Sequence, residues 1–154
     1  TDISEAVIQA SLEVVVRAVE ADRGAPVGTD LLIVGMGRLG GREVGYSSDA
    51  DVLYVHDPRP GADDQAAQEA ALAVVTELRR LIGVAGSDPP LGLDADLRPE
   101  GKSGPMVRSL ASYATYYERW SETWEAQALL RARPVAGDPP AVGSGPVGCD
   151  GIGP

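Results

Sequence analysis

Apolar residues recur along this chain in two rhythms, one helical and one strand-like, separated by clusters of Gly and Pro. Ile3, Val7, Ala10 and Val14 fall at three- and four-residue steps, so 3–20 reads as an amphipathic helix with that stripe as its apolar face. Asp2 and Glu5 offer a capping-box-like start to it. Gly24, Pro26 and Gly28 then break the helix. The short apolar run Leu31, Leu32, Ile33 and Val34, closed by Gly35 and Gly37, predicts a buried strand. A short helical turn is expected over 39–44, and a second strand over 50–56 stops at Asp57-Pro58.

Beyond a loop at 58–61, a long helix over 62–82 places Ala67, Ala70, Ala71, Val74, Leu78 and Leu81 on one face. A loop at 83–90 leads to a third expected strand, 91–98. There Leu91, Leu93, Ala95 and Leu97 alternate with Gly92, Asp94, Asp96 and Arg98, giving one apolar and one polar face. A last helix over 109–132 carries Tyr113, Tyr116, Tyr117, Trp120 and Trp124 in a stripe, five of the chain's seven aromatics. Such a stripe is expected to pack on the sheet or on a neighbouring domain; the alternative is a ring offered for base stacking. Residues 139–154 hold five glycines and four prolines with no periodicity, so they are expected to be a disordered tail after a single domain at 1–138.

Composition narrows the classes of function. With 154 residues and 44% apolar content the chain is large enough for one core, and no stretch approaches a membrane span. Acids at positions 2, 5 and 13 interrupt any signal-peptide pattern, and the single cysteine, Cys149, excludes an internal disulfide. These features predict a cytoplasmic setting. A net charge of −10, with Lys102 the only lysine among 13 basic residues, argues against nucleic acid as a partner.

Gly35-Met36-Gly37-Arg38-Leu39-Gly40 has the form G-x-G-x-x-G after a predicted strand. A dinucleotide fold would need a full crossover helix next, yet the following strand begins ten residues after Gly40. The string Ser47-Ser48-Asp49-Ala50-Asp51 points the other way. It sets two carboxylates two residues apart at the mouth of a strand, hence on one side of it. Carboxylates held that close repel unless a cation lies between them, and Mg²⁺ takes such hard oxygen ligands together with substrate phosphates. Asp94 on a neighbouring strand could complete the site. A D-x-D alone could be a solvated turn; the ordered set of strand, glycine turn, D-x-D and later acid is what carries the reading.

A strand ending in glycines, D-x-D on the next strand and a later acidic strand residue resemble the nucleotidyltransferase superfamily of the DNA polymerase β type. Longer strings are similar to the bacterial glutamine synthetase adenylyltransferase family. They are Gly35 to Glu43 with Tyr46-Ser47-Ser48-Asp49-Ala50-Asp51, then Asp94-Ala95-Asp96-Leu97-Arg98-Pro99, and then Trp124-Glu125-Ala126-Gln127-Ala128-Leu129-Leu130-Arg131-Ala132-Arg133. The resemblance covers roughly 5–138. It implies an α+β nucleotidyltransferase domain, a small mixed sheet flanked by helices. It implies Mg²⁺-dependent transfer of AMP from ATP to a tyrosine of glutamine synthetase, with a PII signalling protein as regulator of the full-length enzyme.

The length suits one of that family's two catalytic halves, and the wording is closer to the C-terminal, adenylylating half of actinobacterial members. The deadenylylating half, which releases ADP by phosphorolysis, is the alternative. A truncated module that only binds a partner is the second. Carried over residue by residue, Asp49, Asp51 and Asp94 are the expected catalytic and metal-binding acids. Gly40, Gly41, Ser47, Ser48 and Arg98 are expected near the triphosphate. Lys102 and Arg108 are further candidates to meet phosphate charge, and His56 is expected to be structural. Many members carry Arg where Asp96 stands, so Asp96 is read as a ligand, a partner of Arg98 or a perturbing charge. Family members continue into helices where this sequence enters its Gly/Pro stretch, so a piece of a longer protein is expected.

Overall fold

The computed structural model describes residues 2–41, 50–83, 92–119 and 123–137. Helix α1 (Asp2–Arg23) is followed by strand β1 (Thr29–Gly35), a single helical turn α2 (Gly37–Gly40) and strand β2 (Ala50–Pro58). Helix α3 (Asp64–Ile82) and the two-residue strand β3 (Leu93–Asp94) come next. Strand β4 (Val107–Ser109), helices α4 (Leu110–Arg119) and α5 (Thr123–Ala128), and strand β5 (Arg133–Gly137) complete the order. The class is mixed α+β, as expected.

Strand β2 organises the sheet. Its one edge pairs antiparallel with β1, from Thr29 opposite Pro58 to Gly35 opposite Val52, and β5 extends the sheet beyond β1. Its other edge is shared by two short parallel strands, β3 beside Ala50 and Asp51, and β4 beside Tyr54, Val55 and His56. Alternation then sorts the side chains. Ala50, Val52 and Tyr54 join Leu31 and Ile33 in the core under α1 and α3, while Leu53 and Val55 join Met36 and Tyr113 under α4. The sheet is therefore covered on both faces, which explains why β1 and β2 read as continuous apolar runs.

Helix α3 buries Ala67, Ala70, Ala71, Val74, Val75, Leu78 and Ile82, close to the predicted face, with Leu81 turned outward. Asp63 caps it by accepting the Ala66 N–H at 2.8 Å. Helix α1 corrects the sequence reading. Ile8, Leu12 and Val15 are buried against the sheet, whereas Ile3, Val7 and Val14 are exposed. The helix carries two apolar stripes, and the one that packs is the one whose larger side chains reach α3 and β5.

The expected strand over 91–98 is also corrected. Pairing ends at Asp94 because its Oδ1 accepts the Asp96 N–H at 2.8 Å, a local bond that turns the chain. Among the described residues the expected helix over 109–132 is instead α4, α5 and a 3₁₀ turn at Leu129–Arg131. On α4, Tyr113 packs under the sheet and its hydroxyl donates to the Tyr54 carbonyl at 2.9 Å, the packing role expected of the stripe. Gly137 closes β5 at φ +91°, where a β-carbon would collide with the Leu31 carbonyl. Trp120, the Trp124 side chain and the expected tail at 139–154 lie outside the described residues.

Candidate active site

The two described acids of the expected site are brought together by strand register. Asp51 and Asp94 are directly paired on the parallel strands β2 and β3. Asp51 shares its parity with Leu53 and Val55, so both carboxylates emerge on the α4 side of the sheet, at the end of β2 that α4 leaves half open. Neighbouring strands lie about 4.8 Å apart, which sets two like charges side by side. The Ala50 N–H bond to the Gly92 carbonyl at 2.7 Å fixes this register. Among the described residues no third acid joins the pair to form a metal-ligating group. Asp49, Ser47 and Ser48 lie outside the described residues.

The glycine turn sits directly above. The Met36 N–H donates to the Asp51 carbonyl at 2.7 Å, so α2 begins hydrogen-bonded to the site strand. Gly37 has φ +50°, and a β-carbon on it would stand 2.7 Å from Asp51 Oδ2. Gly40 and Gly41, expected beside phosphate, have other work. A β-carbon on Gly40 would drive into the Arg131 carbonyl, and one on Gly41 would crowd the Arg131 guanidinium at 3.2 Å. Their N–H groups are spent inside the turn, on the Met36 and Gly37 carbonyls at 2.9 and 3.0 Å. Arg133 holds the turn from outside. It donates to the Leu39 and Gly40 carbonyls at 3.2 and 3.3 Å and forms a two-pronged pair with Glu5 of α1.

Arg98 is held inside the fold. Expected to face phosphate, it is 6% exposed and folds inward. Its guanidinium donates to the Ala95, Gly104 and Lys102 carbonyls at 2.9, 3.1 and 3.1 Å, fastening the loop that follows Asp94. Asp96 pairs with Lys102 at 3.2 Å and with Arg98 at 3.7 Å, which makes it a partner of cations beside the site. His56 is structural. Buried under α3, it takes the Thr29 hydroxyl at 2.9 Å on Nδ1 and meets Gln68 Oε1 at 2.6 Å through Nε2. Gln68 donates its amide to the Val107 carbonyl at 2.8 Å, which orients its oxygen to the ring.

A second polar cluster lies further along the same face. Arg108 is in register with Val55, four residues and about 13 Å along the strand from Asp51. It pairs with Glu100 at 2.8 Å and lies 5.2 Å over the Tyr116 ring. Buried Glu125 accepts the Tyr116 hydroxyl at 2.8 and 2.9 Å and the Glu100 N–H at 3.3 Å. Burial, aided by Glu125, raises the Tyr116 hydroxyl above its ordinary pKa and pushes that of Tyr117 up to about 12. An open concavity of about 680 Å³ is lined here by Glu100, Arg108, Ser112, Thr115 and Tyr116. It is a groove beside α4, removed from the carboxylate pair.

The comparisons with known proteins decide the family. The sequence profile of the glutamate-ammonia ligase adenylyltransferases matches residues 1–143. The chain belongs to this family. A bifunctional glutamine synthetase adenylyltransferase/adenylyl-removing enzyme of Streptomyces avermitilis is 57% identical over 138 residues, 90% of this chain and 14% of that protein. Proteins of the same name from Mycobacterium avium and Nocardia farcinica are each 53% identical, over 90% and 86% of this chain. The chain thus spans about 14% of the length of such adenylyltransferase relatives.

Sequence reasoning missed the parts that Gly37, Glu125 and Arg133 play in and around these polar clusters. For Gly37 the signal was present, as the middle glycine of the string. Nothing in the spacing could have announced the partners of Glu125 and Arg133, which come from distant segments.

Proposed function

We propose that this chain carries the Mg²⁺-dependent transfer of AMP from ATP to a tyrosine hydroxyl of glutamine synthetase, as the adenylylating half of its longer relatives. The observation that carries the reading is the in-register pair Asp51 and Asp94 on one sheet face, with the glycine turn so close that a β-carbon on Gly37 would stand 2.7 Å from Asp51 Oδ2. Two hard carboxylates fit Mg²⁺. Asp51 and Asp94 would hold the ion, with Asp49 as the further ligand expected from the sequence. The chemistry supplied there is positive charge against the triphosphate oxygens.

The reaction forms a bond from the tyrosyl oxygen to the α-phosphorus. It breaks the bond from that phosphorus to the bridging oxygen, and pyrophosphate leaves with the electron pair. The phenolic proton has to be taken up, because a free tyrosine titrates near pH 10. Asp94 is suited to accept it. One of its oxygens is tied to the Asp96 N–H, which fixes the plane of the carboxylate, and taking the proton on the other is the alternative to holding the ion there. Ser47 and Ser48 are the proposed hydroxyl donors to phosphate. The same reading takes the DNA polymerase β-like fold for the domain, a cytoplasmic setting, and a PII signalling protein as regulator in the full-length enzyme. It takes neither nucleic acid nor membrane as a partner; no described helix is long and apolar enough to cross a membrane.

The test is incubation of the chain with Mg²⁺, α-labelled ATP and glutamine synthetase. Label on the synthetase that disappears in Asp51→Asn is the expected result. Release of ADP from adenylylated synthetase on adding orthophosphate, without forward transfer, would replace it with the opposite half-reaction. Silence in both directions would leave a module that binds a partner without catalysis.

A further inference from the structure

The single turn α2 is too short to hold its own shape. Isolated helices of fewer than about 12 residues are marginal in water, and two of the four residues here, Gly37 and Gly40, are of a type that helices tolerate poorly. Its start is tied by main chain, through the Met36 N–H on the Asp51 carbonyl at 2.7 Å, and its middle by Leu39, which is buried in the core. The last carbonyls of a helix need donors from outside it. Arg133 supplies them, donating to the Leu39 carbonyl through Nη2 at 3.2 Å and to the Gly40 carbonyl through Nε at 3.3 Å. We infer that Arg133 is a positioning residue for the glycine turn: gripped by Glu5, it keeps the end of α2 seated at the site and so sets the affinity for the nucleotide. Its functional meaning rests on the proposed AMP transfer, while the seating of the turn stands on geometry alone.

Three elements meet at this side chain. The Arg133 main chain on β5 is in register with Gly35 on β1, where the turn begins. Glu5 of α1 takes Nη1 on Oε2 at 3.1 Å and Nη2 on Oε1, which fixes the plane of the guanidinium. The two side chains are 24% and 21% exposed, so water screens this pair less than it screens pairs on the open surface. A planar fork of donors serves two carbonyls and a carboxylate at once, which a lysine cannot do. Beyond Gly41 the chain runs on to Ser47, Ser48 and Asp49, the proposed phosphate donors and metal ligand. Loosening the end of α2 frees the root of that segment, while the main chains of Asp51 and Asp94 stay fixed by strand pairing. Nucleotide binding then has to reseat the turn, so the cost falls on affinity and spares the rate of the bound complex.

The test compares Arg133→Met with Arg59→Met. Methionine keeps an unbranched stem and removes the donors. Arg59 pairs with Asp30 at 3.1 Å, at the other end of β1, and controls for the loss of an ion pair as such. The first readout needs no nucleotide: amide hydrogen exchange by NMR at Gly40 and Gly41, whose N–H groups close the turn on the Met36 and Gly37 carbonyls at 2.9 and 3.0 Å. Relative to amides of the β1–β2 ladder, their exchange is expected to speed at least tenfold in Arg133→Met and less than twofold in Arg59→Met. Exchange that does not change, that is unprotected already in wild type, or that rises equally across the ladder would overturn the inference. Glu5→Gln is expected to speed it less, and to add nothing in the Arg133→Met background; additive effects would sink the link from Glu5 through Arg133. The second readout is labelled AMP transfer, in which KM for ATP should rise at least fivefold in Arg133→Met with kcat within threefold. A fall in kcat at unchanged KM would overturn the nucleotide role. If wild type transfers no AMP, the proposed function fails and the amide exchange still judges Arg133. If Arg133→Met does not fold, Arg133→Lys, which lacks the fork, replaces it.

Discussion

Asp94 stands directly across from Asp51, and the bond that ends its strand also orients its carboxylate: Oδ1 accepts the Asp96 N–H at 2.8 Å. Asn can accept that bond as well as Asp can. Asp94→Asn should therefore unfold within about 1 kcal/mol of wild type while AMP transfer falls more than tenfold. Asp94→Ala should cost about 1 kcal/mol in addition, the worth of a local hydrogen bond. Urea titrations with labelled transfer on the same samples check both.

Arg98 gives the opposite pattern. A buried guanidinium on three carbonyls is worth more than surface pairs, and removing it strands those carbonyls. Arg98→Ala should lose about 2–4 kcal/mol of stability. The KM for ATP of the fraction that remains folded should stay within about threefold of wild type. A rise in KM beyond tenfold without loss of stability would return Arg98 to a phosphate-binding role.

The face of α1 is testable by surface and core substitutions. Val7→Ser or Val14→Ser should change stability by less than about 0.5 kcal/mol, whereas Leu12→Ala should cost about 2–5 kcal/mol. Thermal unfolding of the three variants decides which stripe packs.

Alkaline pH should unfold the domain through its tyrosines. Burial raises the hydroxyls of Tyr54, Tyr113 and Tyr117 above their ordinary value, Tyr117 to about 12. Above pH 10 the unfolded chain releases these protons while the folded chain keeps them. The unfolded state then binds fewer protons, so stability is complete below about pH 10 and falls as pH rises through 12 and beyond. Tyr113→Phe should flatten that slope, read from denaturant midpoints between pH 9 and 12.

Much of the framework was legible in the sequence because it rests on local rhythm. The runs at Leu31–Val34 and at Ala50–His56 announce strands, and the alanine face of α3 announces its helix. The pairing of Asp51 with a later acid was legible as an order of elements. The carbonyl partners of Arg98 and Arg133 were not, because backbone oxygens brought close by folding leave no mark on composition, whereas Asp96 beside Arg98 was among the expected pairings. Strand β4 has three residues, too few for a period, and β5 contains Pro134 and follows a helical stretch without a polar break. On α1 two stripes compete, and only packing against α3 and β5 chooses between them.

The loop between β3 and β4 has a consequence for how such a protein can vary. Arg98 grips the main chain at Ala95, Lys102 and Gly104, and every residue type presents the same carbonyl there. This grip asks little of most side chains along the excursion, but Gly104 has to stay bare, since a β-carbon there would drive into the Pro99 carbonyl. An inserted or deleted residue is another matter, since it moves an oxygen out of reach and displaces Asp94 at the loop's root. For this grip the loop's length matters more than its spelling away from Gly101 and Gly104.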